Sequence, residues 1–252
     1  MAPVPIGEIE GNDQFLTDLV IDCSCERFPR KLEDWERLGR ALGANSVIQS
    51  LSLVCHPNAA YEQEIKAGMG LAVMVRYMAK NRCIDSLSIQ NLVYTADTTS
   101  GDVFFMCLSK FTRDNYSLAH LELIELSTSG DFHYHMLAKG ILESRSIRQL
   151  SVKDTRLGYC SFGILAQACK SSLKRLDLSN SNVNLRRLQL LVGSWAMDKV
   201  SGLCGLNERV NHLTILSPET RTRLNIWIWV ITMISIGSRV SNCPCFRFSP
   251  SI

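Results

Sequence analysis

The sequence predicts an α/β fold, a solenoid in which parallel strands alternate with helices, and three observations support it. A six-residue phrase recurs: an apolar residue, two of any type, leucine, one of any type and a second apolar residue. Apolar residues between the phrases recur at helical spacing. No proline falls between residues 58 and 217, where hydrogen-bonded strands need their backbone N–H groups. The central leucines of the phrase are Leu19, Leu51, Leu87, Leu121, Leu150, Leu176 and Leu213.

Each phrase predicts a short strand, because its apolar residues alternate with polar ones at a period of two. The segments between the phrases predict helices, since their apolar residues fall three or four positions apart. These helices are expected at Trp35–Leu42, Met69–Met78, Val103–Phe111, Met136–Leu142, Phe162–Ala168, Leu185–Val192 and Trp195–Val200. A strand–helix unit this short cannot bury its apolar face alone, and stacked copies can. Stacking places the strands in one concave parallel sheet and the helices on the convex side.

These phrases are similar to the leucine-rich repeat, in its long, ribonuclease-inhibitor-like class, over residues 14–220. The best match is Ser172–Val183. That family places Asn or Cys three residues after the last apolar position of the phrase. Here Leu92 and Leu126 are expected to pack there as plain apolar residues, whereas Ser24, Thr155 and Ser181 can bond backbone groups. The other two places hold His56 and Pro218. The resemblance implies a horseshoe-shaped binding scaffold without catalytic activity.

Three regions follow from the position of the repeats. Residues 1–13 form an N-terminal extension, residues 14–220 the array of about seven repeats, and residues 221–252 an apolar tail. The run Ile226–Ile236 has eleven residues, fewer than the roughly 20 that a membrane-spanning helix needs. Two interpretations stay open for this run: a cap over the last repeat, or a loose tail.

Composition narrows the class of protein. Apolar residues make up 46% and charged residues 20% of the 252 residues, which is typical of a globular chain. The net charge of +3 hides an acidic half, 17 Asp/Glu against 11 Lys/Arg in residues 1–130, and a basic half, 7 against 16. The N-terminus has no basic start and no apolar segment, so no secretory signal is predicted. We therefore expect an intracellular protein, cytoplasmic or nuclear, with reduced thiols.

The outward residues of the predicted strands are the candidate binding site. Small polar residues mix there with exposed apolar ones on a surface roughly 30 Å wide, which suits a protein or peptide partner. The residues expected to contact it are Ser86, Ser88, Gln90, His120, Glu122, Ile124, Gln149, Ser151, Lys153, Arg175 and Asp177. The sequence does not name the partner or the oligomeric state.

Signals for chemistry are weak by comparison. Cys23-x-Cys25 and Cys243-x-Cys245 lack a second pair at metal-ligand distance, and no phosphate-binding glycine loop is present, so no metal and no cofactor are predicted. His133-Tyr-His135 is expected to be a solvated helix start, because a spacing of two residues separates the rings on a helix. The basic groups of the second half lack interleaved aromatics, so nucleic-acid binding is not predicted.

The leading hypothesis is therefore a non-catalytic interaction scaffold. One alternative is a regulator or inhibitor of a partner enzyme, and another is an accessory module of an enzyme. A third is a hydrolase using His120 and Ser151, which would need these two side chains within hydrogen-bond reach. No nucleophile elbow of the G-x-S-x-G type supports that third hypothesis.

Overall fold

The computed structural model describes residues 6–23, 31–55, 61–93, 99–126, 131–155, 157–181 and 214–216. Helices and strands alternate along this part of the chain. The helices are α1 (Ile6–Glu10), α2 (Leu32–Ala44), α3 (Tyr61–Met78), α4 (Thr99–Asp114), α5 (Asp131–Glu143) and α6 (Tyr159–Ser171). The strands are β1 (Asp18–Asp22), β2 (Ser50–Val54), β3 (Ser86–Gln90), β4 (His120–Ile124), β5 (Gln149–Lys153), β6 (Arg175–Asp177) and β7 (Thr214–Leu216).

The first six strands form one parallel sheet in chain order, as the repeats predict. The register aligns equivalent positions of successive phrases, so that Leu87 lies opposite Leu121 and Leu121 opposite Leu150. Each helix between two strands packs on the next helix along the chain. The parallel sheet and the alternation of strand and helix are therefore confirmed.

The seventh strand departs from the prediction. β7 contains the end of the phrase Val210–Ile215, and it runs antiparallel to β6, with Ile215 opposite Leu176. The phrase predicts only that inward and outward side chains alternate along the strand. This alternation is the same in a parallel and in an antiparallel strand. The sheet described here therefore contains six parallel repeats and one reversed edge strand.

The core lies between the sheet and its helices. The central leucines predicted to be buried, Leu87, Leu121, Leu150 and Leu176, expose at most 1% of their surface. They belong to one continuous cluster with helix residues such as Phe104 of α4. Side chains on the other face of the strands are partly or fully exposed. The helices therefore cover one face of the sheet and leave the other open.

The positions just after the strands behave as expected from their residue types. Leu92 and Leu126 are buried and pack as apolar residues. The Thr155 hydroxyl donates to the Lys153 carbonyl at 2.8 Å, and the Ser181 hydroxyl donates to the Val152 carbonyl at 2.5 Å. Ser24, His56 and Pro218 lie outside the described residues.

A ladder of buried asparagines precedes the strands and was not predicted. In Asn81, the side-chain oxygen accepts the backbone N–H groups of Cys83 and Ile84, both at 2.7 Å. Its amide nitrogen donates back to the carbonyls of Leu42 and Asn45, at 2.6 and 2.8 Å. One side chain thus shapes its own turn and ties it to the preceding repeat.

The same bonds recur along the array. Asn45 donates to the Ile9 carbonyl at 2.9 Å, and Asn115 donates to the Asn81 carbonyl at 2.9 Å. The ladder continues with Ser146, whose hydroxyl donates to the Asn115 carbonyl at 2.7 Å. Buried backbone groups need such partners, so the ladder satisfies carbonyls that the turns leave open. We call Asn45, Asn81 and Asn115 the asparagine ladder.

Part of the predicted N-terminal extension packs on the first repeat. Ile9 of α1 is fully buried, and Glu10 accepts two hydrogen bonds from Arg37 of α2, at 2.8 and 2.7 Å. α1 therefore covers the start of the core. The expected helices Leu185–Val192 and Trp195–Val200 and the run Ile226–Ile236 lie outside the described residues. Among the helices of the described ranges, none is long and apolar enough to cross a membrane.

Candidate functional site

The sheet face that the helices leave uncovered carries the candidate site. We call it the open face, and it consists of the outward side chains of β1–β6 together with Ser179. The first column is Asp18, Ser50, Ser86, His120, Gln149 and Arg175, the second Val20, Ser52, Ser88, Glu122, Ser151 and Asp177, and the third Asp22, Val54, Gln90, Ile124, Lys153 and Ser179. All eleven predicted binding residues lie in these columns.

Four of these residues form a hydrogen-bonded group at the centre of the open face. Glu122 accepts from the Ser88 hydroxyl at 3.1 Å and from the Lys153 ammonium at 2.8 Å. The Gln90 amide donates to the Ser88 hydroxyl at 3.2 Å. The parallel register explains the contacts. Ser88 lies opposite Glu122, and Lys153 lies opposite Ile124, two residues beyond Glu122, so that Lys153 is its diagonal neighbour. We call Ser88, Gln90, Glu122 and Lys153 the central cluster.

An ion pair between Lys153 and Glu122 joins two members of the central cluster, and both side chains stay partly exposed. The hydrogen bond to Glu122 raises the pKa of Lys153, more than burial lowers it, so the ammonium remains charged at neutral pH. About a third of each side chain of this ion pair is exposed, and such pairs contribute roughly 1 kcal/mol or less to stability. The pair therefore orients groups on the surface rather than holding the fold together.

The two ends of the open face differ in charge. The β1 end presents Asp18 and Asp22 around Val20, whose side chain is 58% exposed. At the β6 end, Arg175 is exposed, and Asp177 accepts from the hydroxyl and the N–H of Ser179 at 2.6 and 3.1 Å. A partner that spans the face meets acidic groups at one end and mixed charges at the other.

The relative positions of His120 and Ser151 do not support the hydrolase hypothesis. His120 lies opposite Gln149, and Ser151 lies opposite Glu122, two residues further along the strand. No hydrogen bond joins His120 to Ser151 in this described part of the sheet. The two residues share the open face without forming the base–nucleophile contact that such chemistry requires.

The structure corrects the expectation of a solvated helix start at His133-Tyr-His135. His133 is buried, and its Nε2 lies 2.8 Å from the Asp102 Oδ1 of α4. Its ring also packs on Phe105, with centroids 5.1 Å apart. The third residue of α5 faces α4, and helix–helix packing therefore buries it. The described ranges hold no group of three or more residues suited to a metal ion.

The basic residues of the second half that the structure describes lie in two kinds of place. Lys153 and Arg175 lie on the open face, whereas Arg145, Arg148 and Lys174 are exposed in the turns that lead into β5 and β6. Arg148 donates to the Ser172 carbonyl at 3.4 Å. Arg156, Arg186 and Arg187 lie outside the described residues.

Sequence reasoning found the columns of the open face but missed the bonds of the central cluster. Aligning the phrases places Ser88 beside Glu122, since equal phrase positions pair in a parallel sheet. The bond from Lys153 to Glu122 is diagonal, and it depends on side-chain reach that the alignment does not contain.

Comparison with known proteins finds similarity to solved structures only. The chain matches no protein-family model and no curated protein. It is similar to the solved structure titled leiomodin-1 actin-binding site 2, with 17% identity and a TM-score of 0.40, over 66% of this chain and 88% of that chain. It is also similar to a tropomodulin C-terminal domain from structural genomics of Caenorhabditis elegans, with 14% identity and a TM-score of 0.43, over 66% of this chain and 90% of that chain. Likeness at this level says nothing about what this chain binds.

Proposed function

We propose that this chain is a leucine-rich repeat scaffold of the ribonuclease-inhibitor-like class, which binds a protein or peptide on its open face and catalyses no reaction. In this proposal the sheet curves as a horseshoe with the open face on its concave side. The contacts come from the eleven residues predicted on β3–β6, around the central cluster. The location is intracellular, in the cytoplasm or nucleus, and regulation or inhibition of a partner enzyme is a narrower form of the same function.

The observation that carries the proposal is the continuity of the open face. Six adjacent strands present aligned columns that none of the described helices covers, and five strand spacings make the open face about 24 Å wide. A surface of that width suits a protein or an extended peptide better than a metabolite, which binds in a concave pocket. The central cluster supplies groups of fixed orientation, and Val20, Val54 and Ile124 supply apolar contacts.

Quantitative affinity capture from cell extract tests the proposal with charge-matched variants. Arg175→Glu and Ser86→Arg alter the β6 and β3 ends of the predicted contact residues, whereas Lys139→Glu makes the same charge change as Arg175→Glu on an exposed position of α5. We expect a protein that the wild type and Lys139→Glu retain equally, and that at least one open-face variant loses by about tenfold, or about 1.4 kcal/mol. Retention by both open-face variants with loss by Lys139→Glu would place the partner on the helices and overturn the proposal.

A further inference from the structure

Two cysteines occupy equivalent positions directly after β1 and β2. In the later repeats the corresponding residues are Asn91, Glu125, Asp154 and Asn180, and all four have left-handed backbone, with φ between 52° and 57°. The backbone of Cys23 and Cys55 is not left-handed. At the position directly after the strand, the first two repeats therefore share a cysteine and a backbone that is not left-handed, and both features set them apart from the later repeats.

Strand register brings the two cysteines together. Asp22 pairs with Val54, and the next residue, Cys23, donates its N–H to the Val54 carbonyl at 2.8 Å. Cys55 continues the same ladder by donating to the Gln90 carbonyl at 2.9 Å. Neighbouring strands lie about 4.8 Å apart, within the Cα separation of roughly 4.4–6.8 Å that a disulfide spans.

The state of the thiols agrees with this placement. The neighbouring Cys55 thiol raises the pKa of Cys23, and burial raises it further. The Cys23 sulfur is also 3.9 Å from the Ile21 carbonyl oxygen. Cys55 is buried, and both cysteines are free in this structure. Because the register already places the two cysteines side by side on neighbouring strands, their thiols need little backbone movement to bond.

We propose that Cys23 and Cys55 form a disulfide when the protein meets a peroxide, as a covalent modification site that joins the first two repeats. The thiolate of one cysteine attacks hydrogen peroxide, an S–O bond forms, and the O–O bond breaks to give a sulfenic acid and, after protonation, water. The second thiolate then attacks the sulfenic sulfur, the S–S bond forms, and the S–O bond breaks to release a second water. Two thiols are oxidised and one peroxide is reduced to two waters.

The disulfide would close a loop that contains the whole of α2. Closing a loop restricts the unfolded chain and stabilises the folded one. We expect the thermal midpoint of the oxidised protein to rise by roughly 5–10 °C, and dithiothreitol to reverse the rise. The raised pKa of Cys23 makes the thiolate scarce at neutral pH, so oxidation is best run at about pH 8.5.

Peptide mapping of the full-length chain tests the proposal directly. The reduced protein is treated with hydrogen peroxide under native conditions, and the remaining thiols are alkylated before digestion and mass spectrometry. A Cys25→Ser background removes the neighbouring cysteine that shares the tryptic peptide of Cys23. We expect a peptide that links Cys23 to Cys55, while Cys83, a half-buried thiol outside the pair, is recovered alkylated.

The thermal measurement uses Cys23→Ser as its control. That variant keeps Cys55 but has no partner for it, so peroxide should leave its thermal midpoint unchanged. Recovery of both Cys23 and Cys55 as separately alkylated or separately over-oxidised residues, in Cys25→Ser protein that stays folded by circular dichroism, would overturn the proposal. This peptide map does not depend on Cys23→Ser, so it decides the question even if that variant folds poorly.

Discussion

Glu125 adopts left-handed backbone, with φ at 52°, in the turn after β4. Asn91 and Asn180 hold the same conformation in their repeats, and asparagine tolerates it better than other non-glycine residues. The Glu125 side chain is exposed. The backbone, rather than any side-chain contact, therefore sets the preferred residue at this position.

Glu125→Asn is expected to stabilise the protein by about 0.5–1 kcal/mol, because it relieves unfavourable backbone without removing a buried group. Urea denaturation followed by circular dichroism measures the change. The reverse exchange, Asn91→Glu, should cost a similar amount. A loss of stability in Glu125→Asn would show that the carboxylate contributes more than the backbone.

In the asparagine ladder, one side chain forms hydrogen bonds both to its own turn and to the part of the chain that precedes it. The recurring signal was present in the sequence as Asn, two residues of any type, and then the first apolar residue of the phrase, at Asn45, Asn81 and Asn115. The resemblance to leucine-rich repeats predicts a polar position after the strand. In this structure the asparagine ladder lies before the strands.

Removing the side chain of Asn81 should cost about 2–4 kcal/mol, since Asn81→Ala leaves one buried N–H group, one partly buried N–H group and two carbonyls without this partner. Ser144→Ala is the matched control. Ser144 holds the corresponding place before β5, but its hydroxyl accepts backbone N–H groups only at 3.3 Å. Denaturation midpoints of the two variants that coincide would contradict a specific role for the ladder.

At the scale of elements, burial alternates along each of the strands β2–β5. Inward positions belong to the core and outward positions to the open face, so two neighbouring residues on one strand have different roles. In β4, Leu121 is 1% exposed, whereas Glu122 beside it is about a third exposed. Substitutions at adjacent positions should therefore separate stability from binding.

Leu121→Ala is expected to destabilise the protein by about 2–5 kcal/mol, because it removes buried methyl groups and leaves a cavity. Glu122→Ala on the same strand should cost about 1 kcal/mol or less, since it removes only an ion pair whose side chains are about a third exposed. Chemical denaturation of both variants checks the contrast. Equal losses would mean that the two faces of β4 are not distinct in energy.

At the scale of the whole molecule, different elements lie at the two ends of the sheet. At the start, α1 buries Ile9 against the first repeat. At the other end, β7 pairs antiparallel with β6. A bare end of a sheet exposes core side chains and an unpaired strand edge. For the apolar run Ile226–Ile236, which lies outside the described residues, a cap over that end and a loose tail both stay predictions.

Truncation after Ser217 tests the predicted cap. We expect the truncated chain to have a lower thermal midpoint and to aggregate more, since the cap would cover apolar surface next to the last repeat. Differential scanning fluorimetry and light scattering measure both effects. A truncated protein that is monomeric and equally stable would show that the run is a loose tail.

The sequence by itself determined the alternation of strands and helices, the inward leucines of β1–β6 and the outward columns of the open face. These follow from local periodicity, because burial alternates every two residues in a strand and every three to four in a helix. Leu87 and Leu150, for example, are buried as their place in the phrase predicts.

Only the tertiary structure decided which side chains meet. The bond from Lys153 to Glu122, the burial of His133 against Asp102 and the placement of Cys23 beside Cys55 bring together residues about 30 positions apart in the chain. The antiparallel direction of β7 belongs to the same group. The physical reason is that periodicity records how deeply a residue is buried, whereas partners and strand direction depend on register and on the path of the chain between elements.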